Sequence, residues 1–171
     1  MELFVKLLVW LIQLVIGLVI AMGSIYMAIR MLNTLTRGID EEEELKKGNA
    51  AVGIMMLGVI IATALVVSSG VVGLTQAVTG VTGVNLMDYI VAIIFGLIQL
   101  AAGVGFAVIS IFLAFNIWDR ITTKIDEKAE LLRGNVAVGI VMAGIFIAVA
   151  LVVREGVSGL AGAIGAVGPI Q

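Results

Sequence analysis

Four long apolar stretches dominate the chain and restrict what it can fold into. They cover about residues 3–31, 49–67, 89–118 and 135–153. Each is close to or longer than the roughly 20 residues that a helix needs to cross a hydrocarbon core about 30 Å thick. Lipid accommodates only helices and closed barrels, and these stretches lack the alternating pattern of barrel strands. The sequence therefore predicts an all-α integral membrane protein with four transmembrane helices in the lipid bilayer.

The composition supports lipid as the solvent and excludes several kinds of chemistry. Hydrophobic residues make up 61% of the chain and charged residues 13%, which is more apolar surface than a small soluble core can bury. Cysteine and histidine are absent, which excludes disulfides and thiol nucleophiles and removes the commonest metal ligand. A net charge of −2 does not suit nucleic-acid binding. The spans also lack the residue pairs of intramembrane catalysis, so we expect neither enzyme activity nor a cofactor.

The second half of the chain repeats the first. Residues 1–85 align with residues 87–171 without a gap, and about 37 of the aligned positions are identical. The segment GNAAVGI at residues 48–54, for example, returns as GNVAVGI at residues 134–140. Duplication of one two-helix unit explains this pattern. We therefore predict two units, repeat 1 over residues 1–86 and repeat 2 over residues 87–171, and we call residues that are 86 positions apart equivalent.

The orientation of the repeats follows from their even number of spans and from the basic residues. Two spans per repeat place both repeats in the membrane in the same sense, so we predict a pseudo-two-fold axis along the membrane normal. Eight of the ten basic residues lie in the two connectors within the repeats: Arg30, Arg37, Lys46, Lys47, Arg120, Lys124, Lys128 and Arg133. The positive-inside rule then predicts cytoplasmic connectors and outside locations for both termini.

One glycine-rich apolar segment follows the second span in each repeat. They begin at Gly70 and Gly156 and are too short to span by themselves. Apolar segments of this length are usually interfacial or re-entrant. We expect short interfacial helices at both places, with re-entrant loops as the alternative.

The two connectors share a charged motif, whose residues are Asp40, Glu41, Glu44, Lys47, Asp126, Glu127, Glu130 and Arg133. Asp40 and Asp126 are suited to cap a helix that leads into the next span. Lys47 and Arg133 have the helical spacing to pair with nearby glutamates. The alternative is a divalent-cation site formed by the carboxylates Asp40, Glu44, Asp126 and Glu130. The cations built into the motif argue against such a site.

Two polar pairs lie in or beside the spans. Gln13 and its equivalent Gln99 are the strongly polar side chains in mid-span, and they should face protein or water because burying an unpartnered amide is costly. Either they fix helix packing or they line a polar pathway. Asn49 and Asn135 stand where the second span of each repeat begins. They either cap helix ends or form a constriction at the mouth of a pore.

Small residues recur along one face of the first helix in each repeat. This stripe consists of Gly17, Ala21, Ser24 and Ala28, with the equivalents Gly103, Ala107, Ser110 and Ala114. Such stripes let helix backbones approach closely within a membrane. We predict packing faces, some of which serve contacts between chains, and therefore homo-oligomers.

The connector motif, placed twice between hydrophobic spans, resembles that of a known family. The pattern of the YjfL-like inner-membrane proteins, also called domain of unknown function 350, is matched by both connectors. The matching residues are Asp40, Glu41, Glu44, Gly48, Asn49 and Ala51, with Asp126, Glu127, Glu130, Gly134, Asn135 and Ala137 in repeat 2. The resemblance covers essentially the whole chain. It implies the cytoplasmic membrane of a bacterium or archaeon and an association with envelope-stress components of the phage-shock type. It implies no activity.

Two function classes follow from these features. The polar pairs and the outer segments favour an oligomeric small channel or permease. The charged connectors favour a structural or interaction protein of the cell envelope that docks a cytoplasmic partner. Because four helices leave little space inside one chain, a conducting species would need several chains.

Overall fold

The fold is known from a computed structural model, which describes residues 2–36, 39–79, 86–122 and 126–166. All regular secondary structure in these residues is helical. Four helices are long: α1 (Glu2–Leu35), α3 (Ala50–Thr79), α4 (Leu86–Ile121) and α6 (Val136–Ala166). Two are short and lie in the connectors: α2 (Glu41–Lys46) and α5 (Glu127–Leu132).

Among the described residues, three of the four long helices have the length and hydropathy of membrane spans. They contain sufficiently long apolar segments, at Ala50–Gly73, Ile90–Trp118 and Val136–Gly159. In the part of α1 whose side chains are described, the shorter segment Gly17–Arg30 is apolar. The all-helical, multi-pass membrane character expected from the sequence is therefore confirmed.

The glycine-rich segments after the second spans differ from the expectation. Residues 70–79 continue α3 and residues 156–166 continue α6, so in the described residues they form neither separate interfacial helices nor re-entrant loops. Residues 80–85 lie outside the described part of the chain. Glycine costs a helix only about 1 kcal/mol, and no proline stands in these segments to end it. Helix packing also favours glycine at position 70, because a methyl group there would lie only 3.2 Å from the Cα of Leu100.

Helix α3 occupies the centre of the bundle and packs against α1, α4 and α6. Its membrane-length segment is the most buried of the three, and half of the most apolar part of that segment lies inside the protein. The core around it is aliphatic and aromatic, with Met55, Val59 and Val66 from α3 packed among Leu100, Ile111, Met142 and Phe146. Each helix of repeat 2 therefore contacts α3, and α4 also contacts α1.

Two glycines bring α3 and α6 close together. A methyl group on Gly58 would lie 2.4 Å from the Cα of Ala143, and one on Gly139 would lie 2.4 Å from the carbonyl oxygen of Ala51. Both distances are shorter than real Cβ contacts, so any larger residue would push the helices apart. Small residues thus fix the separation of α3 and α6, as is common between membrane helices.

The contacts between the repeats are not reciprocal. A two-fold axis would give Gly144 and Leu57 the same contact that their equivalents Gly58 and Ala143 make. Instead, no described atom lies within 4 Å of a methyl group placed on Gly144. The pseudo-two-fold axis expected from the sequence is therefore not confirmed.

Candidate functional site

The polar residues of the described chain concentrate in the two connectors, and we call α2, α5 and their flanking residues 39–49 and 126–135 the connector layer. Asp40 caps α2 by accepting a hydrogen bond from the backbone N–H of Glu43 at 2.9 Å, and Asp126 caps α5 from Ala129 at 3.0 Å. Each cap satisfies one of the free N–H groups at a helix start. The two connectors are therefore built by the same local rule.

A glycine ends each connector helix and turns the chain into the next span. Gly48 and Gly134 both have a φ of 77°, in the left-handed region where a side chain is strained. The sequence predicted capped helices that lead into the next spans. In the structure, the connector helices instead stop at Lys46 and Leu132, and the spans begin as separate helices. This turn places Asn49 and Asn135 at the starts of α3 and α6.

Asn49 joins three parts of the molecule. Its side-chain oxygen accepts from the backbone N–H groups of Ala51 at 3.1 Å and Val52 at 3.3 Å, which caps α3. Its amide nitrogen donates to Glu44 and to the carbonyl of Leu131 in repeat 2, both at 2.8 Å. One side chain thus links the first connector, the start of α3 and the second connector.

Asn135 makes the corresponding contacts within its own repeat. Its amide donates to Glu130 at 2.7 Å, and its side-chain oxygen accepts from the N–H of Ala137 at 3.2 Å. These groups act as helix caps and connector ties. The alternative expectation, a constriction at a pore mouth, stays a prediction, since the structure describes each asparagine only by its contacts within one chain.

The glutamates of the motif are tuned by these contacts. Hydrogen bonds from Asn49 and then Lys47 lower the pKa of Glu44, and hydrogen bonds from Asn135 and then Arg133 lower the pKa of Glu130. Conversely, contact with Glu44 and Glu43 raises the pKa of Lys47. The ion pairs are short, at 2.9 Å for Lys47–Glu44 and 2.7 Å for Arg133–Glu130. Both glutamates are therefore held ionised at neutral pH.

Glu41 and Glu127 are buried, which sequence reasoning did not anticipate. Glu41 is 3% exposed and shares a hydrogen bond with the hydroxyl of Thr36, which is itself fully buried. Thr36 has an identical equivalent, Thr122, five residues before Glu127. That repeated threonine–glutamate spacing was the available signal for a buried polar contact at the end of the first helix of a repeat.

The structure does not gather the four candidate cation ligands into one site. Asp40 and Asp126 face their helix N-termini, while Glu44 and Glu130 are tied to asparagine and a basic residue. Among the described residues, no group of three or more acidic side chains has the geometry to hold a metal ion. The carboxylates serve capping and pairing instead.

Of the two mid-span glutamines, Gln99 is described with its side chain. Gln99 is 4% exposed and lies on the face of α4 that packs into the bundle. The side chain of Gln13 lies outside the described residues. Next to Gln99, Leu100 packs against Gly70, so the amide sits at a helix interface. Its surroundings are those of a packing residue.

The small-residue stripe faces protein along most of its length. Seven of its eight members are buried and Ala21 is half-buried; the buried ones are Gly17, Ser24, Ala28, Gly103, Ala107, Ser110 and Ala114. Gly17 lies against Val71, and Gly103 lies against the equivalent Val157 as well as against Gly70. The stripe therefore packs α1 onto α3, and it packs α4 onto both α6 and the α3 helix of repeat 1.

One apolar depression of the described bundle lies between α4 and α6. It is lined by Ala114, Phe115, Trp118, Met142, Ile145 and Phe146, and it has no room for a water molecule. This depression does not suit a polar ligand.

Comparison with known proteins gives one match. A family model described as Domain of Unknown Function (DUF350) matches residues 3–104 and again residues 92–168, so that the two overlapping matches cover nearly the whole chain. Two matches in one chain agree with the internal repeat. No curated protein and no solved structure matches the chain.

Proposed function

The chain belongs to the DUF350 family of unknown function, and from that premise we propose that it is a non-enzymatic membrane scaffold. In this proposal it crosses the cytoplasmic membrane of a bacterium or archaeon four times, with both termini outside. It assembles with its own copies, and its connector layer forms a fixed cytoplasmic face for a peripheral partner.

One observation carries the proposal: defined hydrogen bonds hold the connector layer in place on the bundle. Asn49 ties it to both repeats, and Glu44, Glu130 and the two positive-φ glycines fix its shape. A flexible connector between spans would need none of these contacts. A preorganised surface loses less entropy on binding, which suits docking.

The exposed face of α2 gives the partner a chemical character. Glu42 and Glu43 project into solvent, where they pair with Lys46 and Lys47 at 2.8 Å and 3.0 Å. In repeat 2 the equivalent positions are Lys128 and Ala129, so the first connector has the larger excess of carboxylates. We therefore expect a partner that presents a basic surface to α2.

The docking proposal can be tested by exchanging the two surfaces. The double variant Glu42→Lys/Glu43→Ala gives α2 the residues of α5 at these two positions without altering Asp40, Glu44 or Asn49. A photoreactive amino acid at Lys46, which is exposed, captures the partner in cells. We expect one cytoplasmic protein with a basic surface to be captured by the otherwise unchanged chain and lost in the exchange variant.

The matched control reverses a carboxylate at the other end of the bundle. Glu155 in α6 is exposed, and Glu155→Lys should leave the capture unchanged. A captured set that is identical in the unchanged chain and the exchange variant would remove the docking proposal.

A second candidate is a small channel formed between chains. It is favoured by one feature, the buried amide of Gln99 within an apolar helix interface. Buried amides in membrane helices either bond a neighbouring helix or line a polar path. Ion-flux measurements distinguish the two roles, as described in the Discussion.

A further inference from the structure

The two repeats contact each other through two different faces, one on each repeat. The equivalent of each face is present on the opposite repeat, where no other described part of the chain covers it. Within the chain, α3 of repeat 1 contacts repeat 2 through Gly58 on Ala143 and Gly70 on Leu100. We call the face of α3 that makes these contacts the donor face, and the face of repeat 2 that receives it the acceptor face. Because the two repeats have equivalent residues, repeat 2 carries a second donor face on α6, and repeat 1 carries a second acceptor face.

The donor face of repeat 2 is open. It consists of Ala137, Val141, Gly144, Ala148, Val152 and Gly156 on α6, which are all exposed, whereas the equivalent Ala51, Met55, Gly58, Ala62, Val66 and Gly70 on α3 are all buried. Val152 is 74% exposed where Val66 is 0%. No described atom lies within 4 Å of a methyl group placed on Gly144 or Gly156.

The acceptor face of repeat 1 is open in the same way. Leu14 is 67% exposed, although its equivalent Leu100 is 1% exposed against Gly70. Leu57 is exposed, although its equivalent Ala143 is buried against Gly58. In the connector layer, Leu45 is 45% exposed, whereas its equivalent Leu131 is 0% exposed and accepts the hydrogen bond from Asn49.

We propose that the chain assembles head to tail, with the donor face of one copy packed on the acceptor face of the next. Gly144 then meets Leu57 of the next copy, Gly156 meets its Leu14, and Asn135 donates to its Leu45 carbonyl. Each contact repeats one that already exists between the two repeats of a single chain. This inference rests on the homo-oligomer of the proposed function and gives it a specific interface.

The occupant of the donor face is a second copy rather than lipid for two reasons. Small residues in membrane helices let two helix backbones approach closely. A face that contacts only lipid does not need glycine, because a larger apolar residue would contact the lipid chains equally well. The complementary surface is also present in the same molecule, in the same order along the helix, and is open. A contact between two different faces is heterologous, and it closes into a ring when all copies are related by rotation about the membrane normal.

Disulfide cross-linking of mixed chains tests the pairing. The natural chain has no cysteine, so each introduced thiol is the only one. Within the chain, a Cβ on Gly70 would lie 3.2 Å from the Cα of Leu100, which puts the two Cβ atoms near the 3.5–4.5 Å that a disulfide needs. Leu14→Cys and Gly156→Cys chains with different tags are co-produced in membranes and oxidised. We expect cross-links between differently tagged chains, and none when either variant is produced alone.

A matched control uses positions that are exposed in both repeats and therefore belong to neither face. Tyr26 and its equivalent Phe112 are such a pair, and mixed Tyr26→Cys and Phe112→Cys chains should not cross-link. Self-cross-linking of either Leu14→Cys or Gly156→Cys alone would indicate a symmetric interface and overturn the proposal. Oligomers without any mixed cross-link would overturn it as well, while leaving the docking of a partner at α2 untouched.

A second measurement does not depend on oxidation. Gly144→Ile should convert the oligomer to single chains in lipid nanodiscs, as measured by mass, because the equivalent methyl on Gly58 would lie 2.4 Å from a Cα atom. Gly105→Ile is the control: Gly105 is equally open within the chain, but its equivalent is already the exposed Val19. Equal masses for the two variants would contradict the proposed interface.

Discussion

The side-chain amide of Asn49 donates to the main-chain carbonyl of Leu131 at 2.8 Å, so the residue that caps α3 also holds the connector helix of the other repeat. Its equivalent, Asn135, caps α6 and bonds Glu130 in its own repeat. The same residue in the same local structure therefore has two different roles, because repeat 1 has repeat 2 beside its donor face and repeat 2 has that face open.

Replacement of the two asparagines should have unequal effects on an isolated chain. Asn49→Ala removes a helix cap and leaves the buried Leu131 carbonyl without this donor, a loss of about 1–3 kcal/mol. Asn135→Ala removes a cap and a connector tie, a loss of about 1 kcal/mol. Thermal unfolding of detergent-solubilised single chains, followed by circular dichroism, measures the difference. A larger loss for Asn135→Ala would contradict the bridging role of Asn49.

Gly48 should tolerate asparagine better than alanine. Its φ of 77° costs an alanine about 1–2 kcal/mol, whereas asparagine visits the left-handed region more easily. No described atom lies within 4 Å of a methyl group at this position, so the conformation alone decides the effect. Unfolding midpoints should rank glycine above asparagine above alanine. Gly53→Ala is a control within α3, where the helix accepts a side chain and only Leu45 is near.

Acid should weaken the connector layer. The pKa values of Glu44 and Glu130 are lowered from 4.5 in the folded protein by asparagine and basic partners. Their contribution to stability is therefore complete above pH 4.5 and is lost as the pH falls through the lowered values. The raised pKa of Lys47 has the opposite sign, so its contribution is lost only above pH 10.5. Between these limits, the two glutamates and this lysine add no pH dependence.

The double variant Glu44→Gln/Glu130→Gln tests this assignment. Its unfolding temperature should fall less between pH 5 and pH 3 than that of the natural chain, because neither position then titrates. Exposed Glu155 offers the control Glu155→Gln, which should retain the full acid dependence. Equal slopes for both variants would show that other groups cause the acid loss.

The helical, membrane-spanning architecture could be predicted because it depends on properties that are visible along the chain. Apolar length identifies the spans, and the 86-residue offset identifies the repeat. The capping positions of Asp40 and Asp126 were equally accessible, since an N-cap acts on residues two or three positions away. These features follow from local sequence and require no knowledge of packing.

The remaining features depend on contacts between distant residues. The continuation of α3 past Gly70 is supported by packing on Leu100, thirty positions away, which outweighs the low helix propensity of glycine. The one-sided contact between the repeats was also hidden, because the similarity of the two repeats suggests a two-fold axis but does not set the angle of the rotation that relates them.

The scaffold account predicts that polar side chains in the spans serve packing, and ion flux tests this most directly. Purified full-length chains in liposomes, at matched protein density, are compared with the Gln99→Leu variant and with protein-free liposomes for potassium and chloride under both signs of voltage. The account predicts no flux above the protein-free level for either chain, with Gln99→Leu altering only thermal stability. Flux through the natural chain that Gln99→Leu abolishes, in protein that remains folded, would contradict it and place a conducting path beside α4.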